Sequence, residues 1–283
     1  MKQAKYAGLF YEAAPTILEN QIRDCFLGEK GPGALPTSQK QPLQAIITPH
    51  AGYVYSGQCA AWSYKALAES EFPDLFIMIG PSHNHASSGF SMDPLETPLG
   101  IVRVDQDFAR RLSEKGNLKQ NEMIHDDEHC LEVQIPFLQF IFKNQIEKIR
   151  ILPILISHDA DIKKIALDIK ETIIETNKKV KFIISSDFTH YGSNYHHVPF
   201  SLDVKKNIYE LDGKAIDFIK SLDSDGFLEF VQKNFATICG ALPISLLLKT
   251  IKSDKIELEQ YYTSGDLTND YKNSVSYASI LFR

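Results

Sequence analysis

Five of the nine histidines in this 283-residue chain share one context. An apolar run ends, a turn residue or two follows, and an imidazole stands just beyond. "AIITPH" ends in His50, and "LFIMIGPSHNH" ends in His83 and His85. "ILPILISHD" ends in His158 and Asp159, and "FIISSDFTHY" supplies Asp187, His190 and Tyr191. Gathered imidazoles bind a metal ion, relay protons, or do both. A metal held by histidines from two such ends needs a third donor. Cys239, in "FATICGALP", could supply a thiolate, which suits soft and borderline metals. Asp187, three residues before His190, could ligate or could hold an imidazole by its second nitrogen. His85 reads as loop decoration beside His83. His158 with Asp159 reads equally well as the cap of a following helix, Asp159 receiving backbone N–H groups.

A second constellation competes with the first. "MIHDDEHCLEVQ" places His125, Glu128 and His129 in the H-x-x-E-H pattern of inverted zincin peptidases. On one helix, His125 and His129 would share a face and hold zinc while Glu128 served as base. The alternatives are a polar helix start, or two histidines lining the same crevice behind the first group. Tyr53, Tyr55, Tyr191 and Tyr195 lie near the run ends and could wall a pocket. No G-x-S-x-G elbow, Walker loop or G-x-G-x-x-G turn is present.

The elements that must position these residues are readable as runs. "LQAIIT" (43–48), "LFIMIG" (75–80), "KIRILPILIS" (148–157), "KFIISS" (181–186) and "SVSYASILF" (274–282) are rich in Ile, Val and Phe. Runs this continuous predict strands covered on both faces, as in parallel sheets. Helical spacing falls between them, at 56–70, 105–116 and 159–179, where Ile162, Ile165, Ile169 and Ile173 form one stripe. The alternation predicts a single-domain α/β fold, with a mostly parallel central sheet flanked by helices. Residues 28–42 read as a Gly/Pro-rich excursion. In such a sheet the carboxyl ends of the strands open onto one crevice, where ligands bind. Residues far apart in sequence are therefore expected to meet there.

A net charge of −6, without a Lys/Arg-rich run, argues against nucleic acid as partner. No apolar run reaches the roughly 18 residues that span a bilayer, so no membrane association is expected. "MKQAKYAGLFYEAAP" lacks the apolar core of a signal peptide. The four cysteines are widely spaced, which fits reduced thiols and a cytoplasmic address.

"TPHAGYVYSG", "IGPSHNHA", "HDDEHCLEVQIPFL", "SSDFTHYG", "TICGALP" and "YTSGDLTNDYKNSVSYASI" occur in the order found in the Memo family, and the whole chain resembles it. Prokaryotic members are labelled AmmeMemoRadiSam system protein B. The resemblance implies one domain over residues 1–283, similar in fold to the LigB-like class III extradiol dioxygenases. It implies His50, His83 and Cys239 as metal ligands, with His190 in the acid/base position and Asp187 beside it. It thereby selects His83 over His85. His158 receives no role. The dioxygenases complete their ligand set with a carboxylate; a cysteine here is softer, favours copper(I) as well as iron(II), and leaves ring cleavage unassigned. One iron(II) or copper ion is expected rather than zinc. Cys130 stands where the family usually has serine.

Two readings of function follow: a mononuclear metal-dependent redox enzyme, and a non-catalytic module binding a peptide or small molecule in the same pocket. The zinc peptidase is a third. The family label also implies association with an AMMECR-type protein and a radical-SAM protein.

Overall fold

The computed structural model describes residues 1–283. The helices are α1 (Pro15–Leu27), α2 (Tyr53–Ala68), α3 (Gln106–Lys115), α4 (Glu122–Asp126), α5 (Ile135–Ile141), α6 (Ile162–Thr176), α7 (Val204–Lys220), α8 (Ser224–Lys233), α9 (Ala241–Thr250) and α10 (Ser264–Thr268). The strands are β1 (Ala45–Thr48), β2 (Leu75–Pro81), β3 (Gly89–Phe90), β4 (Leu95–Thr97), β5 (Gly100–Val104), β6 (Arg150–Ile156), β7 (Val180–Ser185), β8 (His190–Gly192), β9 (Ile256–Thr263) and β10 (Asn273–Phe282).

The strands form one mixed sheet in the order β4-β5-β6-β2-β7-β1-β10-β8, with β3 also on β6 and β9 also on β10. Its centre is parallel: β5, β6, β2, β7 and β1 all run the same way. Every residue of β1 and β2 is buried, as the continuous apolar runs require. The long β10 is antiparallel to β1 and to β9.

Helices cover both faces. α1 and α5 pack on α2, which lies against β1 and β10. On the other face α9 packs against β2, β6 and β7, with α6 and α8 beside it. The core between these layers is a cluster of 64 buried residues, with a second of four, Cys59, Tyr262, Val275 and Tyr277, beside it. No helix is long and apolar enough to cross a membrane.

Local chemistry sets several boundaries. Asp105 caps α3, its carboxylate accepting from the Phe108 N–H, and Gly116 ends that helix in the left-handed region at φ 91°. The helix after β6 starts later than the sequence suggests. Its cap is Asp161, which accepts from the Lys164 N–H, whereas Asp159 accepts from Ser88 in the loop after β2. Pro153 sits inside β6 without costing a ladder bond. Its carbonyl accepts from Ser91 N, so its nitrogen faces the outer edge, in the gap between β5 and β3.

Two placements govern the site. The parallel strands β1, β2 and β7 present their carboxyl ends on one side. After β7 the chain crosses beyond the tip of β1 and joins β10 as β8, pairing His190 with Val275.

Candidate metal centre

His50 follows β1 by two residues and is 2% exposed. Its N–H donates to Asp187 Oδ1 at 2.8 Å, and its Nδ1 lies 2.9 Å from Ser185 Oγ. The Ser185 hydroxyl gives its own hydrogen to Cys130 O and also accepts from Gln134 Nε2. Ser185 Oγ is therefore an acceptor toward His50, which places the imidazole proton on Nδ1. Nε2 is left bare, 3.3 Å from Cys239 Sγ. Burial, then the neighbouring His83, His129 and His190, hold His50 well below the ordinary histidine range. The ring is neutral, as a metal ligand must be.

His83 follows β2. Its N–H donates to Glu128 Oε2 at 2.8 Å and its Nδ1 lies 3.0 Å from Oε1 of the same carboxylate. A carboxylate accepts only, so this proton too sits on Nδ1 and Nε2 is free. Burial would raise the Glu128 carboxyl, but the His83 ring and the N–H groups of His83 and Cys130 win and hold it down to about 2. The His83 side chain is 30% exposed, so the cluster opens to solvent here.

Cys239 precedes α9 and accepts the Asp187 N–H at 3.2 Å. The helix start can approach because residue 240 is glycine: a Cβ there would lie 2.4 Å from Ser186 Cβ. Burial, and next the Asp187 charge, push the Cys239 thiol well above its ordinary value. Burial raises Asp187 as well, against the charge of His190 and the His50 N–H. The ligating atoms of His50, His83 and Cys239 all lie within 4.8 Å of one another. Two imidazoles offering Nε2 while Nδ1 is held elsewhere, with a thiol beside them, fit a metal ion by donor type and by orientation.

His190 carries the same tautomer: its Nδ1 faces the carbonyls of Phe188 and Thr237 at 2.9 and 3.0 Å, both acceptors. Tyr195 packs edge-on against its ring at 5.2 Å between centroids. His129 joins the cluster, its ring stacked on His83 at 5.1 Å and edge-on to His50 at 5.4 Å. Burial pushes His129 down to about 4, against the attraction of Glu128. His83, Glu128 and His129 form a second group whose ligating atoms lie within 4.8 Å of one another.

Other expected residues are placed differently. α4 ends at Asp126, and Asp127 caps it with φ −117°. His125 and His129 therefore do not share a helical face. His125 is buried with its Nε2 3.3 Å from Gly89 O, and it belongs to neither ligand group. This removes the geometry on which the zinc peptidase depended, and His125 does not line the crevice with His129. Tyr53 is 4% exposed and donates to Val133 O; Tyr191, equally buried, donates to Phe200 O. Both hydroxyls are thus spent on backbone carbonyls, whereas Tyr195 and Tyr55 are 40% and 45% exposed. His85 bonds Asp127 in the loop, and His158 is exposed. Sequence reasoning missed Ser185 and the carbonyl partners of His190, which carry no motif signal. It named Glu128 as a base rather than as the group holding His83.

A sequence profile described as Memo-like protein matches residues 2–281. A MEMO1 family protein of Methanopyrus kandleri is 36% identical over 291 residues, covering 98% of this chain and 97% of that one. One of Methanosarcina barkeri is 36% identical over 289 residues, covering 99% of each. Among solved structures, an uncharacterized protein from Escherichia coli K12 superposes with a TM-score of 0.52 at 12% identity, over 86% of this chain and 100% of that one. That likeness supports the fold alone. The profile match and the full-length relatives together place this chain in the Memo-like protein family.

Proposed function

We propose that the strand-tip cluster holds one iron(II) or copper ion on His50, His83 and Cys239 and that the protein is a metal-dependent redox enzyme. The observation carrying this reading is the convergence of three donor atoms within 4.8 Å, both imidazoles with Nδ1 engaged elsewhere. Bound there, the metal would supply a redox-active Lewis acid with coordination positions left for a substrate.

The chain's own residues have separable tasks. Ser185 and Glu128 fix the orientation of the two imidazoles. Asp187 ties two ligands together, accepting from the His50 N–H and donating its own N–H to Cys239. His190, with Nδ1 committed to two carbonyls, has Nε2 to take or give a proton. Phe10 packs on His129 at 4.5 Å between ring centroids.

The test is anaerobic loading with iron(II) and with copper(I). Near one equivalent of either metal per chain is expected, and neither metal binding near stoichiometry would overturn the reading. The same pocket used only for recognition is the competing account. His190→Gln separates them: under the enzyme reading the variant keeps its metal and loses redox turnover.

A further inference from the structure

The amino ends of β1, β2 and β7 lie at the end of the sheet opposite the histidines, because the three strands run parallel. The segments entering them line a cleft of about 490 Å³, a usual size for a small-molecule site. Its charged lining is Lys40, Lys179, Lys181 and Glu71, and Pro42 and Phe72 are among its apolar walls. Three lysines against one glutamate make a locally positive patch in a chain of net charge −6.

Lys181 stands out. It lies in a central strand and is only 6% exposed. Its ammonium meets Ser70 Oγ, a neutral group. The carboxylate of the cleft, Glu71, is instead 3.5 Å from Lys179 Nζ. Buried charges are ordinarily paired with an opposite charge. Lys40 brings a second ammonium to the same place, donating to Ser70 O at 3.0 Å and Ala68 O at 3.3 Å. An ammonium has three N–H donors, so these bonds leave donors on both lysines for another acceptor. Burial, against the pull of Glu71 and helped by the Lys40 charge, pushes Lys181 down to about 8.

We infer that this cleft binds a small-molecule oxyanion, its phosphate or carboxylate group seated against Lys181 and Lys40 and its body against Phe72 and Pro42. No imidazole or thiol lines the cleft, which sets its chemistry apart from that of the strand-tip cluster. The strands between it and the metal centre are six to seven residues long in β7 and β2, roughly 20 Å. Binding at one end is therefore separable from metal at the other.

Isothermal titration of the protein at low ionic strength tests this, with inorganic phosphate in one arm and citrate in the other. Saturable one-to-one binding of at least one anion is expected, and the preferred arm identifies the headgroup. Lys181→Met should weaken it at least tenfold, Lys40→Met several-fold, and Cys239→Ser should leave it unchanged. Absence of saturable binding in both arms overturns the inference. So does wild-type affinity in a folded Lys181→Met protein, or loss of binding in Cys239→Ser. Should Lys181→Met fail to fold, wild-type affinity in Lys40→Met overturns it equally.

Discussion

At the scale of single residues, the site depends as much on what holds each ligand as on the ligands. His50 and His83 were legible in the sequence because each stands just past an apolar run. Ser185 was not, because a serine ending a strand has no distinguishing pattern. Its role follows from the hydrogen it gives to Cys130 O. Glu128 makes the clearest test. Glu128→Gln keeps the shape but can no longer accept from both the His83 N–H and ring Nδ1 as a carboxylate does. Loss of such a partner typically costs 10- to 100-fold in metal affinity. Competition with a chelator should read a weakening of that order, and unchanged affinity would refute the orienting role. Two other histidines predict the acid response of the metal-free fold. Burial holds His125 at about 3 and His129 at about 4, below the unfolded value near 6.5. The folded state then binds fewer protons than the unfolded one. Their contribution is present in full above about pH 6.5 and is lost as pH falls toward 3, at up to about 1.4 kcal/mol per pH unit for each. Urea melts across this range should show the decline, and His125→Gln should flatten it.

Elements explain why residues so far apart meet. The parallel strands and the α3 boundaries, capped by Asp105 and Gly116, could be read from burial pattern and cap chemistry. β9 could not. It is a half-exposed edge strand mixing Ile and Leu with Glu, and only its pairing with β10 defines it. The short β8 was equally hidden, since its pairing depends on β10 reaching past the tip of β1. The H-x-x-E-H pattern is no zinc motif here because it requires a helix through Asp127, where α4 has ended. The start of α9 offers an element-scale prediction. A methyl group at Gly240 would press on Ser186 Cβ at 2.4 Å and on Ser185 O at 3.0 Å, so the helix must shift. Gly240→Ala should cost about 1–3 kcal/mol, as overpacking does, and should displace Cys239. A drop in both the urea midpoint and metal stoichiometry is the expected outcome. A variant as stable as wild type would show that α9 does not approach β7 so closely.

The whole molecule is a sheet with two dissimilar ends. Imidazoles, a thiol and carboxylates gather where the strands finish, and lysines gather where they begin. The first half of that arrangement was foreseeable, because parallel strands align their carboxyl ends and the apolar runs fix where those ends fall. The second was not, because Lys40 and Lys181 are far apart in sequence and no pattern announces that they meet beside Ser70. The metal belongs to the first end under the proposed function. The most direct test of that placement is the metal content of anaerobically purified wild type beside Cys239→Ser and His83→Ala. About one iron or copper per wild-type chain is expected, with a substoichiometric amount in both variants. Full metal content in both variants, or none in the wild type even after loading, would contradict it.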